Sequence, residues 1–234
     1  MSASRLKGKP LLEINNLPII CHVVKKAKET AIGEVVVATE DKEIVFAVEK
    51  NGGKAILTRQ HKTGTDRIFE AFQKLKRNGV EYVLNLQGDE PMIDPNDIIN
   101  LNNLMIENNS DMGTLASEIT KDTILDNENV VKIITKKKLE NNNFIEALNF
   151  YRKNLPRENT NIYHHIGIYA YKVSVLEKFI NLNQTKNEIE NHLEQLRALD
   201  NNIAIMVALA KSSPIGVDTK EDFLAIKKIM EYKS

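Results

Sequence analysis

The chain has 234 residues, 42% of them hydrophobic, which is enough to bury the core of a single α/β domain over residues 1–234. Its 32 basic and 32 acidic residues cancel to a formal net charge of zero, so the balance gives no indication of binding to nucleic acid or to an anionic membrane surface. With a single cysteine, no apolar run of about 18 residues and no signal-peptide pattern, we expect a cytoplasmic protein without a disulfide or a membrane span.

Helices and strands are predicted to alternate along the first half of the chain. Apolar residues recur at helical spacing over residues 17–29, 41–51, 65–78 and 95–107. Short apolar runs predict strands over residues 34–38, 54–57 and 82–86. Thr65 is the expected N-cap of the third helix, and Pro95 suits the first turn of the fourth. The alternation predicts a mostly parallel central sheet flanked by helices.

The second half changes character, because strand-like runs follow one another without helices between them. These runs cover residues 112–117, 130–135, 147–151 and 162–171. Consecutive strands favour antiparallel pairs, so we expect a small antiparallel lobe over about residues 112–171. The remaining predicted elements are helices over residues 172–181, 190–200 and 219–232, and a strand over residues 204–209.

The strand over residues 82–86 ends abruptly in Gln87-Gly88-Asp89-Glu90-Pro91. In open α/β sheets, ligands bind at the C-terminal ends of the strands. An aspartate held there beside a glycine suits a hard divalent cation that carries phosphates. The alternative is a polar turn that only closes a buried strand.

Two further segments suit phosphate. Arg5 and Lys9 flank Gly8 near the start of the chain, and such a loop can wrap backbone N–H groups and cations around phosphates. The alternative is a disordered terminus. Residues 63–67 open the third predicted helix, whose free N–H groups suit an anion; the alternative there is a capped helix with solvated charges.

Taken together, these motifs resemble those of one family, the 3-deoxy-manno-octulosonate cytidylyltransferases. The matching segments are residues 5–11, 36–41, 57–59, 63–67, 86–92, 129–132, 165–169, 193–197 and 216–219. A glycine-lysine loop or a Gly-Asp-Glu-Pro turn alone is a weak signal. The set is specific, because its members fall in order along nearly the whole chain.

The resemblance implies a Rossmann-like nucleotidyltransferase fold, a homodimer, and transfer of CMP from CTP to 3-deoxy-D-manno-octulosonate (KDO) with Mg²⁺ as cofactor. The products are CMP-KDO, which serves lipopolysaccharide biosynthesis, and pyrophosphate. The implied catalytic residues are Asp89, Asp218 and Lys9, and the two aspartates are also the implied metal ligands. The implied nucleotide-binding residues are Arg5, Lys9, Gly64 and Thr65. The implied sugar-binding residues are Arg59, Gln87, His165, Tyr169, Glu194 and Gln195.

Several of these assignments have structural alternatives. Asp218 taken alone suits a turn or a helix cap. His165 suits an interior hydrogen-bond donor better than a general base, and Tyr169 suits packing on an alternating strand. Glu194 and Gln195 lie on adjacent faces of the predicted helix, so we expect only one of them to point inward.

Three residues depart from the family pattern. Lys7 stands where proline is usual, Tyr151 where serine is usual, and Asn191 where glutamate is common. The last two leave open a cytidylyltransferase for another sugar acid, such as a sialic acid or 8-amino-KDO. A catalytically inactive binding protein of the same fold is the second alternative, and the presence of both Asp89 and Asp218 speaks against it.

The chain as given is expected to start too late, with Met1 an internal methionine taken as the start; the alternatives are a real truncation and a strand supplied from elsewhere. Family members begin with an apolar strand that ends in Pro-Ala-Arg and lies mid-sheet, whereas Met1 falls inside the nucleotide loop. Without that strand, its neighbours at residues 35–37 and 82–86 would bury unpaired N–H and C=O groups at a cost of about 1–3 kcal/mol each. The polypeptide that starts at Met1 should therefore fold poorly or have weak activity.

An in-frame upstream extension should restore both properties. Reading the codons before Met1 tests whether an in-frame extension exists. Thermal melting and CTP turnover of the short and extended versions test whether the extension restores folding and activity. A stop codon immediately upstream, together with a cooperative melt and full activity of the short form, would contradict it.

Overall fold

The computed structural model describes residues 6, 8–120, 123–156, 158, 161–213 and 216–232. The chain forms two compact units. The first unit joins residues 1–78, 87–98 and 214–234, and the second joins residues 79–86 and 99–213. Within the described ranges, no helix is both long and apolar enough to cross a bilayer. The expected single domain with a preceding strand stays a prediction.

The described residues form short strands and helices throughout. The elements up to residue 75 are β1 (Glu13–Ile14), β2 (Leu17–Pro18), α1 (Ile19–Glu29), β3 (Val37–Thr39), α2 (Lys42–Lys50), β4 (Ala55–Leu57) and α3 (Gly64–Leu75). Those up to residue 151 are β5 (Tyr82–Asn85), α4 (Pro95–Glu107), β6 (Met112–Ser117), α5 (Thr123–Asp126), β7 (Lys132–Thr135) and β8 (Phe144–Tyr151). The last are β9 (Ile162–Lys172), α6 (Val173–Ile180), α7 (Lys186–Asn191), α8 (Leu196–Asp200), β10 (Ile205–Leu209) and α9 (Lys220–Tyr232).

A buried cluster in the first unit brings the start and the end of the chain together. Ile14, Ile19, Val217 and Ile226 are each 0% exposed and pack as one core cluster. Because Ile226 lies on α9 and Ile19 begins α1, the cluster fixes the last helix against the first. Each fully buried aliphatic side chain contributes about 1.5–3 kcal/mol, so this cluster is strong enough to hold the loops beside it.

The six-stranded sheet of the second unit is mixed, with the order β5-β9-β6-β10-β8-β7. β7 also pairs with β9, which closes the sheet on itself. Only β10 and β6 run parallel, and the other pairs are antiparallel. The mostly parallel sheet that we predicted is therefore not confirmed.

The connections between strands explain this difference. A parallel pair requires a crossover, which is usually helical. Helix α2 lies between β3 and β4, which are parallel, and helices α6 to α8 precede β10, which runs parallel to β6. No helix separates β7, β8 and β9 along the described chain. β7 pairs antiparallel with β8 on one side and with β9 on the other.

Two predicted helix boundaries are wrong. Helix α3 begins at Gly64, and its N-cap is Thr63, whose Oγ1 accepts a hydrogen bond from the Asp66 N–H at 3.1 Å. Thr65, the predicted N-cap, lies inside the helix and is 2% exposed. Since both threonines suit an N-cap, only the backbone geometry distinguishes them.

The helix predicted over residues 190–200 is two short helices. Thr185 and Glu188 form a capping box that starts α7 earlier than expected, and His192 ends it with φ of 53° in the left-handed region. Helix α8 begins only at Leu196. The other predicted helices and strands are present, with ends that differ by at most three residues.

A buried ion pair fixes the segment between α7 and α8. Arg197 and Glu188 are 3% and 4% exposed, and the guanidinium donates through Nε at 2.8 Å and through an NH2 nitrogen at 2.5 Å to the two carboxylate oxygens. The Arg197 guanidinium also stacks on the Phe179 ring, 4.8 Å from its centroid. Because the pair joins both helices, it holds the intervening residues 192–195 in place.

Arg197→Met should destabilise the protein by about 3–5 kcal/mol, because it leaves the Glu188 carboxylate buried without its partner. Urea denaturation monitored by circular dichroism measures the change. Lys186→Met is the matched control, since the Lys186–Glu190 pair spans 3.7 Å on the surface and should contribute at most about 1 kcal/mol. Equal losses in the free energy of unfolding of the two variants would contradict a stabilising role for the Arg197–Glu188 pair.

Candidate active site

Lys9, Asp89 and Asp218 converge in the first unit. The Lys9 ammonium donates a hydrogen bond to Asp89 Oδ2 and lies 3.1 Å from Asp218 Oδ1. The side chains of Lys9 and Asp89 are each 22% exposed, and that of Asp218 is 74% exposed. The structure thus brings together the three residues that the sequence predicts to be catalytic, from positions 80 and 209 residues apart.

A tight turn at the start of the chain positions Lys9. Gly8 has φ of 68°, a left-handed conformation that favours glycine, and it precedes one 3-10 turn over Lys9–Leu11. The Leu11 N–H donates to the Gly8 carbonyl at 2.9 Å, and the Leu12 N–H donates to the Lys9 carbonyl at 3.2 Å. Leu12 packs against the core cluster of the first unit, so its burial anchors the turn.

Asp89 lies in a turn that two contacts fix. Its carbonyl accepts a hydrogen bond from the Val217 N–H at 3.0 Å. Gly88, before it, approaches α1 closely, because a Cβ at this position would lie 2.9 Å from Ile20 Cδ1. A larger residue at position 88 would therefore require the end of the Ile20 side chain to shift.

The start of α9 positions Asp218. Asp222 Oδ2 accepts hydrogen bonds from the backbone N–H groups of Asp218 and Thr219, at 3.2 and 2.8 Å. Thr219 Oγ1 in turn accepts from the Asp222 N–H at 3.1 Å, as expected for an N-cap. Thr219 and Asp222 thus satisfy each other's N–H groups at the start of α9, and the Asp218 carboxylate instead accepts from Lys9.

The charges of Asp89 and Asp218 shift the pKa values of Lys9 and Glu90. Burial lowers the pKa of Lys9, but hydrogen bonds and charge from Asp89 and then Asp218 outweigh burial and raise it above its ordinary value. Burial, followed by the charges of Asp89 and Asp218, raises the pKa of Glu90 to about 8. Glu90 is therefore mostly protonated at neutral pH, and within the described residues its buried Oε2 has no hydrogen-bond partner.

The remaining predicted residues of the first unit lie at the start of α3 and in two loops. Gly64 and Thr65 form the first turn of α3, and Gln87 is exposed after β5. Arg59 follows β4, and its side chain is 83% exposed. Arg5 lies outside the described residues.

His165 and Tyr169 lie together in the second unit, on β9, with ring centroids 5.4 Å apart. Thr114 Oγ1 donates its only proton to the Ile168 carbonyl at 2.7 Å. His165 Nε2, which lies 3.1 Å from Thr114 Oγ1, is therefore assigned as a donor to that hydroxyl oxygen. Burial, followed by the charges of His164 and Arg152, lowers the pKa of His165 to about 3. The imidazole is neutral, with Nδ1 left as an acceptor.

Tyr169 is similarly held in its neutral form. Burial, followed by the charges of Tyr171 and Glu194, raises the pKa of Tyr169 well above its ordinary value. Its phenol therefore stays protonated.

Glu194 and Gln195 do not lie on a helix, contrary to the prediction, but in the segment between α7 and α8. The Glu194 side chain is 28% exposed and its Oε1 lies 3.8 Å from Arg197. Gln195 is 7% exposed. Gln195 is buried and Glu194 is partly exposed, and the expectation that only one of them points inward stays a prediction.

Glu70, Glu90 and Thr114 contact or adjoin candidate site residues, and the sequence alone indicated no role for them. Glu90 follows Asp89 in the sequence, so its position beside the site could be predicted. That its carboxyl is buried without a hydrogen-bond partner among the described residues could not, because burial depends on the fold. Glu70 and Thr114 fall within a helix and a strand, and their contacts with Arg59 and His165 cross 11 and 51 residues. No local pattern distinguishes them from other residues of an amphipathic helix or a buried strand.

Comparisons with known proteins agree with the resemblance. The family model described as cytidylyltransferase matches residues 1–206. The 3-deoxy-manno-octulosonate cytidylyltransferase of Afipia carboxidovorans is 42% identical over 232 residues, which cover 98% of this chain and 93% of the relative. The enzyme of the same description from Bartonella bacilliformis is 40% identical, with coverage of 98% and 95%.

Solved structures support the same relationship. CMP:2-keto-3-deoxy-manno-octonic acid synthetase complexed with CTP has a TM-score of 0.88 and 35% identity, over 99% of this chain and 95% of that one. A UDP-glucose pyrophosphorylase complexed with UDP-glucose, at 15% identity and a TM-score of 0.67, shares the fold alone, over 97% of this chain and 91% of its own. The predicted nucleotidyltransferase fold is confirmed as a mixed α/β fold. By sequence and by structure, the chain belongs to the cytidylyltransferase family, as a 3-deoxy-manno-octulosonate cytidylyltransferase.

Proposed function

We propose that this protein transfers CMP from CTP to 3-deoxy-D-manno-octulosonate and releases pyrophosphate. The observation that carries the proposal is the convergence of Lys9, Asp89 and Asp218 in a chain about 40% identical to enzymes of that description. Two carboxylates and an ammonium at one point are suited to a triphosphate and its cation.

The reaction sets three tasks for the site. A sugar hydroxyl forms a bond to the α-phosphorus of CTP, the bond from that phosphorus to the bridging oxygen breaks, and the hydroxyl loses its proton. The protein must neutralise the phosphates, hold the nucleophile in line, and favour loss of that proton. Lys9 is suited to the first task, because its raised pKa keeps the ammonium charged.

Asp89 and Asp218 fit a site for Mg²⁺. Mg²⁺ in nucleotide enzymes is held by one or two carboxylates and by phosphate oxygens, so a larger protein cluster is not needed. Among the described residues, no group of three or more His, Cys, Asp or Glu could hold a metal. In the structure, the Lys9 ammonium occupies a point between the two carboxylates that a cation suits. When bound, Mg²⁺ supplies positive charge to the phosphates and lowers the pKa of the attacking hydroxyl.

The sugar acid carries a carboxylate and several hydroxyls. In the first unit, Arg59 offers an exposed guanidinium for the carboxylate, and the exposed Gln87 offers an amide that both donates and accepts. We retain His165, Tyr169, Glu194 and Gln195 of the second unit as sugar-binding predictions.

Three further expectations stay predictions. They are binding of CTP by Arg5, Gly64 and Thr65, assembly as a homodimer, and location in the cytoplasm. Sedimentation equilibrium of the purified protein tests whether it is a homodimer.

The alternative is a cytidylyltransferase for another sugar acid. Incubation with CTP, Mg²⁺ and, separately, KDO, 8-amino-KDO or a sialic acid, while pyrophosphate release is followed, distinguishes the substrates. We expect the highest kcat/KM for KDO. No pyrophosphate with any of the three would favour an inactive binding protein of the same fold.

Asp89→Asn and Asp218→Asn should each reduce kcat/KM by more than roughly 100-fold at saturating Mg²⁺, because each removes a charge from the proposed metal site. Steady-state pyrophosphate release measures the loss, and thermal melting checks the fold. Asp41→Asn is the control, since Asp41 caps α2 and asparagine caps about as well. Near-normal turnover in either site variant would remove that residue from the site.

Arg59→Ala and Gln87→Ala should raise the KM for KDO more than the KM for CTP. Loss of binding to one substrate is the effect expected from a residue that contacts only that substrate. Initial rates with each substrate varied in turn give both constants. A rise confined to the KM for CTP would instead assign these residues to the nucleotide.

A further inference from the structure

The loop between β4 and α3, residues 58–63, is attached to α3 by one carboxylate. Glu70, on α3, is 7% exposed, and both of its oxygens lie 3.2 Å from the Arg59 N–H. Its Oε2 also accepts from Arg59 Nε at 3.4 Å. One side chain thus holds both the backbone and the guanidinium of Arg59.

A second residue of the loop meets the same carboxylate. His61 Nε2 forms a short contact with Glu70 Oε2. On the other side, Lys74 Nζ donates to Glu70 Oε1 at 2.6 Å and to the Leu57 carbonyl at 2.7 Å, at the end of β4. Glu70 therefore connects the strand end, the loop and the helix.

These contacts stabilise the ionised form of the Glu70 carboxyl. Hydrogen bonds from Lys74 and then His61 lower the pKa of the Glu70 carboxyl to about 2. It remains an acceptor at every pH at which the enzyme would be assayed. A carboxylate that accepts from several donors at once restricts all of them to one arrangement.

The geometry leaves one edge of Arg59 for a ligand. The Nε edge faces Glu70, while the side chain as a whole is 83% exposed. A guanidinium binds a carboxylate best through two parallel N–H groups, and holding one edge aims the rest of the planar group. An arginine that is already held also loses less rotamer freedom when a ligand binds.

We propose that Glu70 is a positioning residue for the sugar acid, which acts by holding Arg59 and its loop so that the guanidinium faces the substrate carboxylate. This rests on the proposed function, in which Arg59 binds KDO. Glu70 touches neither substrate. Its effect passes through Arg59, with His61 as the second attachment of the same loop.

Glu70→Gln is the first test, because glutamine keeps the size of the side chain but loses the charge and one acceptor. We expect the KM for KDO to rise about tenfold, with the KM for CTP and kcat within about twofold of the unchanged enzyme. Initial rates of pyrophosphate release with each substrate varied give the three constants. A role in stability alone would not separate the two KM values.

Glu34→Gln is the matched control. Glu34, in the same unit, also pairs with two cations, Lys54 at 2.6 Å and Arg77 at 2.8 Å, and hydrogen bonds from Arg77 and then Lys54 lower its pKa to about 2. It makes these contacts away from the 58–63 loop. Both variants should melt at lower temperature, and only Glu70→Gln should change the KM for KDO.

A double-mutant cycle with Arg59→Ala tests whether Glu70 acts through Arg59. If it does, Glu70→Gln has no further effect on the KM for KDO in the Arg59→Ala background. If Glu70→Gln fails to fold, His61→Asn takes its place, since asparagine is too short to reach Glu70, and the KM for KDO should rise here too.

The outcomes separate the two proposals. If Arg59→Ala raises the KM for KDO but Glu70→Gln and His61→Asn leave it unchanged, the positioning role is overturned and the role of Arg59 stands. If the effects of Arg59→Ala and Glu70→Gln add fully, Glu70 acts by another route and the proposal is again overturned. If Arg59→Ala leaves the KM for KDO unchanged, the assignment of Arg59 under the proposed function fails, and the positioning role fails with it.

Discussion

The site depends on holding two aspartates together. Asp89 and Asp218 would repel each other at short range, and the Lys9 ammonium between them offsets that repulsion. The same arrangement explains why Glu90, beside them, is mostly protonated at neutral pH: burial and two neighbouring negative charges disfavour a third. A site built in this way requires a cation at its centre; Lys9 meets that requirement in the structure, and the proposed Mg²⁺ would meet it in a nucleotide complex.

Carboxylates on helices also organise the loops that carry the other candidate residues. Glu70 on α3 holds the loop of Arg59 in the first unit, and Glu188 on α7 holds the segment of Glu194 through Arg197 in the second. In each case the loop residue that is proposed to meet the substrate is not the residue that fixes the loop. Rigid helices thus supply order to segments whose backbone has no regular hydrogen bonding of its own.

At His165 in the second unit, burial has the largest effect on protonation. His165 is neutral because it is buried, and the hydroxyl of Thr114, committed to the Ile168 carbonyl, makes Nε2 of His165 a donor. A neutral imidazole with a defined tautomer suits recognition of a hydroxyl, and it does not suit transfer of a proton near neutral pH. The neutral state speaks against His165 as a general base near neutral pH, and its role in binding the sugar stays a prediction.

The amino-acid sequence by itself determined the family and most of the helices and strands. Ordered motifs such as residues 86–92 and 216–219 identify the family, and periodic apolar residues place helices such as α1 and α4 to within two residues. The tertiary structure alone decided which strands pair. β9 lies antiparallel to β5, β6 and β7, and no pattern in the sequence of β9 indicates these partners.

The tertiary structure also decided the contacts of the candidate site. Periodicity reports only which face of an element is buried, so it could not show that Glu70 meets Arg59, or choose between Thr63 and Thr65 as the cap of α3. The Lys9 contacts with Asp89 and Asp218 span 80 and 209 residues. Interactions at such separations depend on how buried clusters fold the chain back on itself, and the local sequence around each residue does not contain that information.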